Sequence, residues 1–251
     1  GTIDTMLTFL EGKYKEPRFD YDPYYRTREG TKSNWKSQND SPGYITKSPE
    51  EFGESSWTSP FVMTAVNAEI VKRSHALDNE NNNNNTNKNK NSNESPKPLS
   101  YQEYSVNPSF KEAFIIWFGT IFSVTALLNP ITGTVFKKFI LPKPGEGPDQ
   151  KSMDRGYVLI SGRGEGTNGS KVESELYFPG DPGYKETARM VAESGLCLAL
   201  DLDKLPIEGG GFFSPSVAMG DVLLERLCTT GCKFASRVVK RPEEIKLKSK
   251  L

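Results

Sequence analysis

Two kinds of hydrophobic pattern divide the chain. Residues 1–10 alternate roughly between apolar and polar side chains and are rich in β-formers, which predicts a strand. Residues 11–59 carry aromatics scattered among Asp, Pro, Gly and Ser, and read as an extended polar loop. Helical spacing takes over at 60–77, where Phe61, Ala65, Ala68, Ile70 and Val71 make one side and Lys72 and Arg73 close it. Residues 155–165 and 171–178 read as two strands, and the turn residues 166–169 between them predict a hairpin. Tyr184, Thr187, Ala188, Val191, Ala192, Gly195, Leu196 and Ala199 then give a helix over 183–199, with Asp181 placed as N-cap and Pro182 in the first turn. A last helix over 216–230 ends at Gly231, and 232–239 returns as a strand before a Lys/Arg-rich end.

One stretch fits neither period cleanly. Residues 113–136 contain no charge, and Lys137 and Lys138 follow directly. Some 20 apolar residues suffice to cross a bilayer. Asn129-Pro130 interrupts the run, however, and Thr and Ser are frequent in it. A spanning helix, a kinked pair at or in a membrane, and a buried core helix all fit this pattern.

Composition changes the picture in three ways. Hydrophobic residues make up only 35% of 251, so polar segments dilute a smaller folded part. The Asn-rich run at 78–98 buries too little apolar area to offset its ordering entropy and is expected to be a disordered insertion. Lys plus Arg and Asp plus Glu balance at 32 each, which gives no electrostatic footprint for nucleic acid. Cys197, Cys228 and Cys232 form an odd set with no disulfide framework, as expected inside a cell. With His75 as the lone histidine, neither a zinc site nor a Ser/His/Asp triad is indicated. The run Gly162-Arg-Gly-Glu-Gly166 lacks the spacing of a dinucleotide loop and leads into a hairpin rather than a helix.

Several spaced motifs stand in order: Pro142-Lys-Pro-Gly-Glu-Gly-Pro148; Gly-Asp-Pro-Gly-Tyr-x-x-Thr-Ala-x-Met-x-x-Glu-Ser-x-x-Cys-Leu-Ala from Gly180; and Ala-Met-Gly-Asp-x-Leu-x-x-Arg-Leu from Ala218. Together they resemble the saccharopine dehydrogenase-like oxidoreductases, a group that includes the trans-acting enoyl reductases of lipid, including glycolipid, biosynthesis. The resemblance runs from about Gly1 to Phe234, with gaps around the Asn tract. Gly30-Thr31 matches part of a Gly-Gly-Thr that begins a helix in that family, with Glu29 in place of the second glycine. The segment from Pro60 to Ser74 resembles one near the family's substrate side, so Asn67 and Arg73 fit either a ligand-facing role or ordinary polar positions on a helix surface.

That resemblance implies a Rossmann domain binding NAD(P) in the parent protein, followed by a sheet-and-helix domain that shapes the substrate site and pairs subunits as a homodimer. This chain matches the second part, and the Rossmann domain is absent from it. A chain that begins inside a strand pattern without Met is expected to be a piece of a longer protein. The fold expected over 1–251 is one α+β domain. A mainly antiparallel sheet from 1–10, 155–178 and 232–239 carries helices 183–199 and 216–230 on one face, with apolar helical segments at 60–77 and 107–137. A helix start presents free N–H groups and a positive dipole end. Asp181, Gly183, Tyr184 and Thr187 there, with Gly210 and Gly211 opposite and Asn67, are therefore the candidate substrate-binding residues, and Tyr184 is the candidate proton donor. Expected partners are a lipid-like substrate and a membrane or lipid-droplet surface. Two other classes compete: a membrane-associated scaffold that kept the fold without the chemistry, and an interaction module whose sheet dimerises.

Overall fold

The computed structural model describes residues 43–47, 56–86, 99–139, 146–207 and 209–240. The expected strand at 1–10, Gly30-Thr31, residues 142–145 of the proline-rich connector and the basic end lie outside them. The chain divides into two compact units, with the division between Glu146 and Gly147. The single domain read from the sequence over 1–251 is thus described here as two units. Its fold class is α+β, with six α-helices and two three-stranded antiparallel sheets among the described residues.

In the first unit, β1 (Thr46–Lys47), β2 (Trp57–Pro60) and β3 (Tyr104–Asn107) form a sheet with β2 in the middle. Thr46 pairs with Thr58, and Trp57 through Pro60 pair with Asn107 back to Tyr104. Within 11–59, read from the sequence as mostly loop, 46–47 and 57–59 are thus strand. The strands escape a hydrophobicity pattern because their buried side chains are polar: Thr58, Ser59 and Asn107. Each is hydrogen-bonded, Thr58 Oγ1 donating to the Thr46 carbonyl and Asn107 Nδ2 to Ser59 Oγ at 3.0 Å, which offsets their desolvation.

Helix α1 (Thr64–Thr86) buries Ala68, Lys72 and Ala76, spaced four apart on one face. It does not close at Lys72-Arg73 but runs into the Asn tract, so 78–86 is helical where disorder was expected; 87–98 lies outside the described residues. Once the buried turns have nucleated the helix, each further residue adds a backbone bond without needing apolar area. Asn79 Nδ2 contributes a bond to the His75 carbonyl at 2.7 Å.

The apolar run is two helices, α2 (Phe110–Leu128) and α3 (Pro130–Phe139). Ser109 caps α2 by accepting from the Glu112 N–H. The break falls at Asn129, whose φ of −81° and ψ of 127° are extended. Pro130 enforces this, since its ring disfavours helical backbone in the residue before it and its nitrogen has no proton to donate. Asn129 Oδ1 then accepts from the N–H groups of Ile131 and Thr132.

In the second unit, β4 (Val158–Glu165), β5 (Lys171–Phe178) and β6 (Lys233–Lys240) form an antiparallel sheet in that order. The β4–β5 hairpin turns at Gly169, whose φ of 80° glycine takes without strain. A short helix α4 (Gln150–Arg155), capped by Asp149, precedes the sheet. Helices α5 (Lys185–Leu200) and α6 (Pro215–Thr229) pack on each other. The core joins Phe178, Cys197, Met219, Leu223, Leu227 and Cys232. Burying each large apolar side chain there contributes about 1.5–3 kcal/mol. Away from the core, Glu173 of β5 accepts from Arg163 of β4 and Arg237 of β6, an ion-pair row across all three strands.

Candidate functional site

The turn before α5 is built by its own sequence. Gly156 lies so close to Asp181 that a Cβ on it would stand 2.8 Å from the Asp181 Cα, and the Asp181 N–H donates to the Met153 carbonyl at 2.9 Å. Held there, Asp181 receives two N–H groups of the coming helix. Its carboxylate Oδ2 accepts from Tyr184 at 2.7 Å, and its carbonyl accepts from Glu186 at 2.9 Å. The Thr187 hydroxyl donates to the Pro182 carbonyl at 2.7 Å. The helix begins at Lys185 with Tyr184 at the cap, so Asp181 and Pro182 belong to a preceding turn rather than to the N-cap and first turn expected. The fifth-residue bond from Glu186 explains this, because it makes the turn one residue wider than an α-turn.

Around this turn the charges are paired. Glu186 is buried against Gly180 and accepts from Arg189 Nε at 2.8 Å, while Arg189 also donates to the Thr230 carbonyl and lies over the Phe178 ring. Lys185 Nζ reaches Asp154 at 2.6 Å. That hydrogen bond, with a second from Gln150, holds the Asp154 carboxyl below the usual carboxylate range. Tyr184 is 51% exposed, its ring packs beside Gly147, and its hydroxyl has no protein partner among the described residues. Gly183 borders the Asp181 carboxylate. In the connection to α6, nothing stands within 4 Å of where a Gly210 Cβ would be, and Gly211 lies against the Phe213 ring. Asn67 belongs to the first unit, where its Nδ2 donates to both Glu103 oxygens at 3.0 and 3.1 Å. Arg73 is half-buried on the same helix.

A second cluster was not singled out from the sequence. Arg226 of α6 donates through Nε to Glu193 at 3.0 Å and through Nη1 to Asp201 at 2.8 Å, and Lys204 Nζ meets Asp201 at 2.6 Å. These groups line a cleft of about 300 Å³ with Val222, Glu225, Thr229 and Thr230. The hydrogen bond from Lys204, joined by Arg226, holds the Asp201 carboxyl below its ordinary range despite burial. Burial pushes the neighbouring Cys197 thiol up, which keeps it protonated and unreactive. The signal in the sequence was Arg226 between Leu223 and Leu227, a charge on an otherwise apolar face. Cys228 and Cys232 sit on either side of the Gly231 turn. Burial, with the Cys228 thiol beside it, pushes Cys232 up to about 11.

Among known proteins, the chain is similar to a Mycobacterium tuberculosis (strain ATCC 25618 / H37Rv) protein provisionally named a trans-acting enoyl reductase. The two are 34% identical over 237 residues, 92% of this chain and 54% of that protein. It is also similar to proteins named trans-acting enoyl reductase from Mycobacterium bovis (strain BCG / Pasteur 1173P2), at 31% identity, and Mycobacterium ulcerans (strain Agy99), at 30%. Each of these two matches covers 192 residues, 70% of this chain and 40% of the relative. The chain spans about half the length of the curated relatives it matches. No family model and no solved structure matches it significantly.

Proposed function

We propose that this chain is the substrate-side and dimerisation part of an NAD(P)H-dependent oxidoreductase of the saccharopine dehydrogenase-like group. Its substrate is a lipid-like enoyl or acyl compound, met at a membrane or lipid-droplet surface inside the cell. The observation that carries this reading is the similarity across 92% of the chain to a protein provisionally named a trans-acting enoyl reductase. The motifs from Gly180 and Ala218 that carry the resemblance lie on α5 with the turn before it, and on α6.

The described residues do not fit a dinucleotide. Gly162, Gly164 and Gly166 are taken up by β4 and its turn into β5, and all strand pairings are antiparallel, whereas a dinucleotide fingerprint needs a strand-to-helix turn of a parallel sheet. In this reading the cofactor is held by the remainder of a longer protein. What this chain contributes is the substrate side: Asp181, Gly183 and Thr187 shape the turn, Gly210 leaves open space, Gly211 lets the Phe213 ring approach the backbone, and Tyr184 presents an exposed phenol. Tyr184 donates the proton that completes reduction of the double bond.

A second reading has its own support. The Asp181 carboxylate and the Thr187 hydroxyl are both occupied by their own turn, while α2 exposes a row of phenylalanines. A scaffold that kept the fold and meets lipid without chemistry has these features too.

Titrating NADPH and NADH by fluorescence into this chain and into the longer protein separates the two. The expected result is binding by the longer protein alone, with an enoyl thioester turned over. Binding by neither favours the scaffold. In the active protein, Tyr184→Phe is expected to lower kcat by on the order of 10²-fold, the contribution of a positioned general acid. Unchanged turnover removes Tyr184 from the chemistry.

A further inference from the structure

Helix α2 is long and apolar enough to cross a membrane by length and composition, and little of it is buried. Its first turns, however, are committed to the protein. The Phe110 ring meets Trp57 of β2 edge-on at 5.0 Å, Ala113 is fully buried, and Trp117 Nε1 donates to the Gly43 carbonyl at 3.3 Å. Only Phe118–Leu128 projects beyond this anchor, and at ~1.5 Å per residue it rises about 16 Å. A bilayer's hydrocarbon core is about 30 Å thick. The free helix reaches roughly the midplane and stops there at Asn129.

The elbow that follows suits such a depth. Asn129 Oδ1 takes the Ile131 and Thr132 N–H groups, and the Gly133 N–H goes to the Asn129 carbonyl at 2.7 Å. The hydroxyls of Thr120, Thr125 and Thr132 each donate at 2.8 Å to the Ile116, Ile121 and Ala126 carbonyls. These hydroxyls and these N–H groups at the break are thus satisfied within the pair, which a lipid environment favours more strongly than water does. Gly133 sits so near α2 that a Cβ would stand 2.8 Å from the Leu127 carbonyl oxygen, so α3 starts against the end of α2. Beyond the elbow, α3 exposes Ile131, Val135 and Phe139 on one stripe, and Lys138 is exposed beside Phe139. Trp117 at one end and Lys138 at the other are side chains that favour the headgroup level.

Resting on the reading that this chain meets a lipid surface, we propose that α2 and α3 enter one phospholipid leaflet as a bent pair and do not cross the bilayer. Phe118 and Phe122, stacked at 6.3 Å and both more than half exposed, face the acyl chains, and α3 leads from the elbow back towards the headgroups.

The test uses the full chain mixed with sealed vesicles of phosphatidylcholine and phosphatidylserine. Flotation is expected, and Phe118→Asp/Phe122→Asp, with its circular dichroism unchanged, is expected to weaken it on the order of 100-fold. For depth, Lys111→Cys and Lys138→Cys are made separately in a Cys228→Ser background and exposed to a membrane-impermeant maleimide from outside. Both are expected to label before detergent is added. Labelling of Lys138→Cys only after detergent means a crossing, which overturns the one-leaflet arrangement but leaves lipid contact standing. Absence of flotation overturns lipid contact itself. Flotation unchanged in the double aspartate variant overturns α2 as the contact.

Discussion

Asp201 shows how much one side chain ties together in the second unit. It ends α5, accepts from Lys204 in the 3₁₀ turn Leu202–Lys204, and accepts from Arg226 of α6. Its carboxyl titrates below the ordinary range, first because Lys204 donates to the charged form and then because Arg226 does. With the folded value lower than the unfolded one, the unfolded state binds a proton first as pH falls. The stabilisation is therefore complete above the ordinary aspartate value of about 3.9 and is lost as pH drops through the depressed folded value. Asp201→Asn is expected to lower the urea midpoint at pH 7 and to flatten the acid limb below about pH 4. Urea melts between those values check this, and an acid limb as steep as the parent's would show that other carboxylates carry it. In the sequence, Arg226 stands out only as part of the motif from Ala218. Its partners lie 33 and 25 positions away, and no spacing rule reaches that far.

At the scale of elements, the breaks matter as much as the helices. α6 is kinked at Gly220, whose φ of 48° and ψ of −131° are open to glycine and strained for any other residue. A Cβ there would meet Pro206 at an ordinary 3.6 Å, so space is not the obstacle and the backbone is. Gly220→Ala is expected to cost about 1–3 kcal/mol, read as a lower urea midpoint with an unchanged slope. A midpoint equal to the parent's would mean the helix straightens without loss. Periodicity found α5, α6 and all three strands of the second sheet within a few residues. It missed the Gly220 kink, because Met219, Leu223 and Leu227 keep helical spacing across it. Within the uncharged run, Asn129-Pro130 marked the interruption at which α2 ends and α3 begins. The bend is legible in Asn129-Pro130; the cap that Asn129 places on α3 is not.

On the scale of the whole molecule, each unit carries its own sheet, and the core around Phe178, Cys197 and Leu223 is drawn entirely from residues after Gly147. Residues 147–251 expressed alone are expected to unfold cooperatively, with the far-ultraviolet signature of mixed helix and sheet. A fragment without a cooperative transition would show that the second unit needs the first. The candidate site divides along the same line. Asp181, Gly183, Tyr184, Thr187, Gly210 and Gly211 belong to the second unit, and Asn67 is engaged with Glu103 in the first.

By itself the sequence determined the α+β class, the β4–β5 hairpin, the helices behind it and the uncharged run that became α2 and α3. These follow from local period, turn chemistry and caps, which act over a few residues. Only the tertiary structure decided which polar groups are spent and which are open. The small sheet around Ser59 and Asn107 exists because buried polar side chains satisfy one another. The helix start at Tyr184 is filled by Asp181 because Gly156 lets the two backbones touch. The free length of α2 is set by Trp117 reaching back to Gly43. Each depends on a partner distant in the chain, where hydrogen-bond and packing energy are decided by approach in space rather than by order in sequence.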